Sequence, residues 1–359
     1  MGIATVGQAV SPAPQSQPPQ KEEIHPSRLS SAEVSQLQAT AEAGDASAQA
    51  SLARAYEDGN GVPQNDKLAF QWYSKAAEQG DAEAANSVGV MYRLGQGIGS
   101  SKEDAVVWYH KAARLKNPKA MFNLGAAYYN GDGVGVDDVI SYAWFLLAHE
   151  AGSPAAEEAL RRAGSEKGAD PTAAYARVGQ MYETGEEIPK DSQQALKWYR
   201  KAADERDASS AVAVASLLLA VGRSPTQEEY SESRKRCEDA AKRNFAPGAY
   251  CEALIYGRGL GGTKDPVERA KWLTRAAELG HARAVLELGE AYWKGEGVKP
   301  DPVAAYTWIW LAYNSKVPGA EQDEQALRKE LTAKQVEQAK RKATEWSIQH
   351  RSPLRLRQR

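Results

Sequence analysis

The residues in this chain best suited to chemistry are a glycine run, five histidines and two cysteines. The run from Gly257 to Gly262, Gly-Arg-Gly-Leu-Gly-Gly, fits G-x-G-x-x-G, a spacing that lets backbone approach a dinucleotide pyrophosphate. That chemistry needs a strand before the glycines and a helix N-terminus after them, whereas a helical pattern precedes this run. The adjoining Gly261-Gly262-Thr263-Lys264 also lacks the Gly-Lys-Ser/Thr order of a phosphate loop. His25, His110, His149, His281 and His350 are scattered, with no metal-ligand spacing and no motif tying one to a nucleophile. Asp132, Asp137 and Asp138 miss the calcium-loop pattern and read as turn and capping residues. No catalytic residue, metal site or cofactor is therefore assigned.

Cys237 and Cys251 lie eight and six residues from Phe245, the middle of a short helix–helix turn. An antiparallel helix pair would bring them together, and a disulfide is expected there only in an oxidising compartment. The alternative is two ordinary small helix residues. A single cysteine pair makes no zinc site.

Composition narrows the partners. Lys plus Arg number 45 and Asp plus Glu 47 in 359 residues, a net charge of −2 that offers no field for nucleic acid or an anionic membrane. No apolar run approaches the roughly 18 residues of a membrane span. Residues 1–29, rich in Pro, Gln and Ser, read as a disordered leader. They contain no intact secretory signal, and Val6 stands where a myristoylation motif wants Ser or Thr. Such a spacer often follows a cleaved bacterial signal. With the cysteine pair it points to the periplasm; the missing signal points to the cytoplasm.

The elements that must position these residues repeat. Trp72, Trp108 and Trp144 are 36 residues apart, as are Tyr56, Tyr92 and Tyr128. The same 16-residue Tyr-to-Trp interval joins Tyr182 to Trp198, Tyr256 to Trp272 and Tyr292 to Trp308. Before each Tyr, small and apolar residues recur at helical spacing, as in Ala48, Leu52, Ala53 and Tyr56. A Gly-x-Gly turn follows (Gly59/Gly61, Gly95/Gly97, Gly131/Gly133, Gly295/Gly297), and Gly259/Gly261 of the dinucleotide-like run align with it. Seven residues before each Trp stand Asn65, Ser101, Asp137, Asp191, Asp265 and Asp301, all good N-caps. Each unit thus reads as helix A, glycine turn, helix B. A degenerate unit from Asp207 to Phe245 puts Ala220 and Arg236 at the Tyr and Trp positions, with Thr226 and Glu229 as a capping box.

The consensus, A-x-x-x-LG-x-x-Y-x-x-G-x-GV followed by D-x-x-x-A-x-x-WY-x-KAA-x-x-G, resembles the Sel-one-like repeat (SLR) family over about 46–317. This resemblance implies an all-α solenoid of about seven antiparallel helix pairs, tetratricopeptide-like, with a scaffold or adaptor role in bacterial envelope or signalling assemblies. It carries no shared catalytic residues. It also implies two further readings: an immunity protein that neutralises a secreted toxic effector and, remotely, a β-lactam-handling enzyme. The chain lacks the paired cysteines in each repeat that mark the latter group.

One unit cannot bury its apolar face alone, so units stack and the ends need caps. Residues 30–45 read as a capping helix and 318–350 as one long closing helix. YAWFLLA (142–148) and YTWIWLA (306–312) depart alike from WYxKAA, and each is followed by a similar Ala-Leu-Arg tract. This predicts an array over 46–163 and another over 172–317, in contact and joined by a linker at 164–171, with a basic tail at 351–359; the alternative is one continuous superhelix with a helix inserted after the third unit. Partner binding is expected on a concave face lined by the A helices, at positions that vary between units. These are five before Tyr (Ser87, Asn123, Arg177, Glu287) and one after it (Arg93, Tyr129, Trp293). Arg and aromatic residues there fit protein hot spots. The expected partner is another protein, with no nucleic acid, membrane insertion or small-molecule substrate.

Overall fold

The computed structural model describes residues 28–220 and 224–350. The tail at 351–359, and all but the last two residues of the leader at 1–29, lie outside the described residues.

Among the described residues there are eighteen α-helices and no strand. A single helix, α1 (Ser31–Glu42), precedes three helix pairs: α2 and α3 (Ala46–Asp58, Asp66–Glu78), α4 and α5 (Ala82–Leu94, Lys102–Arg114), α6 and α7 (Pro118–Asn130, Asp138–Glu150). An extra helix, α8 (Ala156–Lys167), comes next. Four more pairs follow: α9 and α10 (Pro171–Thr184, Ser192–Asp204), α11 and α12 (Ala208–Leu218, Gln227–Lys242), α13 and α14 (Ala246–Arg258, Pro266–Glu278), α15 and α16 (Ala282–Lys294, Pro302–Asn314). The stack closes with α17 (Ala320–Glu330) and α18 (Ala333–Gln349). Consecutive helices pack on one another through the pairs, with α9 passing over α8 to pack on α7 and α18 passing over α17 to pack on α16, so the chain is an α-solenoid.

Helix starts are fixed by side chains. Asn65, Ser101, Asp137, Asp191, Asp265 and Asp301 each accept a hydrogen bond from a first-turn backbone N–H of a B helix. Such a cap is worth about 1 kcal/mol. Thr226 and Glu229 form the reciprocal capping box that starts α12. At α15 the cap is His281, whose Nδ1 accepts from the Ala284 N–H at 3.2 Å. Burial lowers the His281 pKa, which keeps the imidazole neutral and able to accept.

In four units the side chain after the Trp is the deeper one, whereas Trp144 and Trp198 are themselves buried. Tyr73, Tyr109, Phe145, Tyr199, Leu273 and Ile309 are all buried, while Trp72, Trp108, Trp272 and Trp308 remain half-buried. The glycine or alanine three before Tyr makes room for it: a Cβ on Gly125 would lie 2.5 Å from the Phe145 ring. Lys75 and Lys111 lie over the rings of the half-buried Trp72 and Trp108, and Lys201 over that of the buried Trp198, at 3.9, 3.6 and 4.1 Å from the ring centroids. That arrangement is the physical content of WYxKAA.

The turn glycines lock unit to unit. Gly133 has φ +74°, and a Cβ there would lie 2.3 Å from the Lys102 carbonyl oxygen at the start of α5. Gly97 and Gly297 meet Asp66 and Pro266 of the preceding unit in the same way. Gly259 and Gly261 also have positive φ and follow α13, so the dinucleotide-like run is a repeat turn after a helix. Gly133→Ala is expected to cost about 1–2 kcal/mol from backbone conformation, with more from pushing α5 away. Denaturant unfolding of the variant checks this.

Two boundaries differ from the sequence expectation. The closing segment 318–350 is two helices, because Thr332 caps a new start with Gln335 in a capping box. The stretch 164–171 is half helix, since α8 runs to Lys167 before Gly168 ends it at φ +63°. The two arrays also share one core: Val178, Met181 and Trp198 belong to the same apolar cluster as Leu124, Trp144 and Leu147. α9 packs on α7 as α18 packs on α16. The shared departures from WYxKAA follow. Leu147 and Leu311 take the place of the exposed Lys and are buried, where α8, and α17 with α18, add cover to α7 and α16.

Candidate functional site

A helices of successive units touch directly. Asn123 Nδ2 donates to Asn86 Oδ1 at 2.9 Å between α6 and α4, and the Tyr250 hydroxyl donates to Glu287 Oε1 at 2.8 Å between α13 and α15. The variable positions lie on this layer, and their surroundings divide them.

Glu287 is not available to a partner. It is 8% exposed and accepts from Tyr250, from Arg269 Nη2 at 3.0 Å and from Arg283 Nε at 2.9 Å. A buried carboxylate needs such partners to stay charged, so its place in the sequence reflects packing. Arg177 pairs with Glu187 and donates to Gln180 Oε1 at 3.0 Å. Ser87 is half-buried on α4.

The position after Tyr follows the hydroxyl of the B helix. The Tyr73 hydroxyl donates to Glu57 at 2.7 Å, and the Tyr199 hydroxyl donates to Glu183 at 2.6 Å. Burial first, then these carboxylates, push both phenols well above their usual pKa. Where the B-helix tyrosine is replaced by Phe145 or Ile309, the paired position carries Tyr129 or Trp293. These reach the extra helices instead: the Tyr129 hydroxyl donates to Glu166 Oε2 at 2.8 Å, and Trp293 Nε1 donates to Glu330 Oε2 at 3.1 Å. Tyr129 and Trp293 thus anchor α8 and α17 in corresponding places. Tyr129→Phe is expected to raise amide exchange in α8 severalfold and leave α4 and α5 unchanged. Hydrogen-exchange mass spectrometry reads both.

Arg93 breaks this pattern. It follows Tyr92 as Glu57 follows Tyr56, yet it faces a tyrosine with a donor in place of an acceptor. It stands beside the Tyr109 hydroxyl and opposes the pKa rise that burial causes there. That hydroxyl is buried and has no acceptor for its proton. Both residues line a cavity of about 220 Å³ with Lys102, Phe122, Asn123 and Asp132. The structure therefore brings Arg93 and Asn123 together and leaves Arg177, Glu287 and Trp293 in other units. Sequence reasoning missed Tyr109, which reads as pure core; the signal was Arg93 standing where Glu57 and Glu183 stand.

Cys237 on α12 and Cys251 on α13 are joined, with Sγ atoms 2.01 Å and Cα atoms 5.8 Å apart. Among the described residues no group of His, Cys, Asp and Glu is placed to hold a metal ion. No described helix is long and apolar enough to cross a membrane.

The Sel1 repeat model matches residues 46–81, 82–117, 118–153, 172–207, 249–281 and 282–314, more than half of the chain. The degenerate unit lies outside these segments, although its helix pair α11–α12 is in place. The chain is similar to a protective antigen of uropathogenic Escherichia coli that displays an SLR fold. The identity is 28% over 89% of this chain and 72% of that chain, with a TM-score of 0.47. It is similar to a Sel1 repeat protein of Oxalobacter formigenes at 25% identity over 82% and 80%, TM-score 0.40. An immunity protein of Pseudomonas aeruginosa is similar at 17% identity over 65% and 81%, TM-score 0.25. No curated protein matches the chain. The six matched repeats settle the family: the chain belongs to the Sel1 repeat proteins, helical solenoids whose fold is typical of protein–protein interaction scaffolds.

Proposed function

We propose that this chain is a non-enzymatic scaffold that grips a protein partner along the A-helix layer of its solenoid. The observation that carries the reading is the A-helix layer itself. Its packing positions stay small or apolar from unit to unit, while the polar groups at the two variable positions differ. In the second unit the position after Tyr is Arg93, which forms no ion pair among the described residues and stands beside the Tyr109 hydroxyl of the B helix α5. A stacked array presents such groups on one extended surface, which suits a long protein segment better than a compact metabolite. The reading places the chain in an oxidising envelope compartment, which the Cys237–Cys251 bond supports.

The test is cross-linking from the A-helix layer in the native host, followed by affinity capture. The expected result is a reproducible partner whose cross-links fall on α4 and α6 and whose capture drops when Arg93 and Asn123 are replaced together. Cross-links confined to the B-helix layer, or no reproducible partner, overturn it.

A further inference from the structure

We infer that the cavity between α4, α5 and α6 is a carboxylate-binding site, filled by an acidic group of the bound protein segment. This deepens the scaffold reading and rests on it for the source of the carboxylate.

Comparison of units within the chain carries the argument. In the first unit the Tyr73 hydroxyl lies between the Glu57 carboxylate at 2.7 Å and the Arg54 guanidinium. In the fourth unit the Tyr199 hydroxyl donates to Glu183 at 2.6 Å, with the Arg177 charge nearby. Tyrosine, cation and carboxylate are all internal in both. In the second unit the tyrosine and the cation are present as Tyr109 and Arg93, and the carboxylate is missing. Tyr109 is 2% exposed and its hydroxyl has no acceptor. Arg93 is a donor only, so it can serve the phenol oxygen but never accept the phenol proton. What the site lacks is an acceptor bearing negative charge.

The neighbouring charges leave that role open. Lys102 Nζ holds Asp132 Oδ1 at 2.6 Å, so this pair cancels and Asp132 leaves the Tyr109 hydroxyl without an acceptor. Arg93 is then the uncompensated cation of the cavity. Asn123 spends one amide hydrogen on Asn86 Oδ1 and retains a second. Arg93, Tyr109 and Asn123 can together donate to both oxygens of a carboxylate, while Phe122 and Val106 give an apolar wall for the adjoining methylenes. A volume of about 220 Å³ falls below the ~300–1,000 Å³ usual for pockets that take drug-sized ligands. It suits an aspartate or glutamate side chain or a chain terminus.

The probe is sodium acetate, titrated into the full chain labelled with ¹⁵N-arginine, against sodium chloride and acetamide at matched ionic strength. The Arg93 Nε resonance is expected to move saturably with acetate, with a dissociation constant on the order of 1 mM, and to ignore both controls. Tyr109→Phe should weaken acetate about tenfold, the effect of one hydrogen bond to a charged group. Arg93→Glu restores the carboxylate seen in units one and four. It should abolish acetate binding while keeping the melting temperature at or above that of the parent chain, which separates loss of the site from loss of the fold. Equal shifts with chloride, or acetate binding that survives Arg93→Glu when followed in that variant through the Tyr109 ring resonances, overturn the site. Two peptides identify the source, acetyl-Ala-Asp-Ala-amide and acetyl-Ala-Ala-Ala with a free carboxylate; one is expected to bind more tightly than acetate. If neither does, the claim that a protein segment fills the site is overturned. Saturable acetate binding without any capturable partner would remove the scaffold reading and keep the site. Partner capture without acetate binding would do the reverse.

Discussion

Reducing the Cys237–Cys251 bond is expected to lower the unfolding free energy by about 3 kcal/mol, the loop-entropy value for a cross-link spanning a short segment. The two residues are 14 apart and staple α12 to α13. The loss should be local, because each unit of a solenoid contacts only its neighbours. This unit lacks the repeat's two aromatics: Ala220 and Arg236 stand at the Tyr and Trp positions. Its small core cluster is Ala215, Cys237, Cys251 and Ile255, flanked by Leu219 and Tyr230. Hydrogen exchange with and without a phosphine reductant should show protection falling in α11–α13 and persisting in α4–α7. A Cys237→Ala, Cys251→Ala double variant should behave like the reduced chain. Unchanged exchange in α12 after reduction would mean that helix packing alone holds the unit.

The second large effect concerns the neighbouring residue. Glu252 is 1% exposed on α13, and its Oε1 has no hydrogen-bond partner. Burial pushes its pKa up to about 7, against the pull of Arg234 and with a smaller push from Glu238. An unfolded chain would release this proton near pH 4.5, whereas the folded chain keeps it to about 7. The contribution of Glu252 to stability is therefore fully present below pH 4.5. It declines as pH rises through 7 and then levels off at a cost of about 3 kcal/mol. Glu252→Gln cannot ionise, so it should match the parent chain near pH 4.5 and exceed it by about that amount at pH 8.5. Urea unfolding across this range measures the difference. Curves that stay parallel would show that Glu252 is solvated or paired in solution. Because Glu252 adjoins Cys251, the two effects are expected to couple rather than add.

Periodicity made the fold legible. A Tyr-to-Trp interval held in six units, with a capping residue seven before each Trp, leaves helix pairs as the only elements that satisfy it. The caps appear as expected because an N-cap is a local bond between a side chain and a backbone N–H three residues away or fewer. The same locality explains the dinucleotide-like run: its glycines have positive φ because they end a helix.

The closing segment was less legible. A continuous amphipathic pattern over 322–349 hides the break at Thr332, since the capping box there costs the pattern no apolar position. The shared departures YAWFLLA and YTWIWLA marked the ends of two arrays, but not that Leu147 and Leu311 would be buried or which helix would cover them.

The candidate site was half legible. Variation between units located Arg93 and Asn123, but it equally marked Glu287, Tyr129 and Trp293, which bond within the chain. A variable position records only that repeat packing does not fix it. Whether the residue then faces solvent, a neighbouring helix or a buried counter-charge depends on partners as far as 37 residues away.

The amino-acid sequence by itself determined the repeat, its helix boundaries and the family, because these rest on short-range spacing, capping and turn chemistry. Only the tertiary structure decided that the two arrays share one core, that Glu287 is sealed in an ion network and that the Tyr109 hydroxyl lacks an acceptor. Those outcomes depend on which side chains from successive units meet across a helix interface, and one-dimensional spacing does not record that meeting.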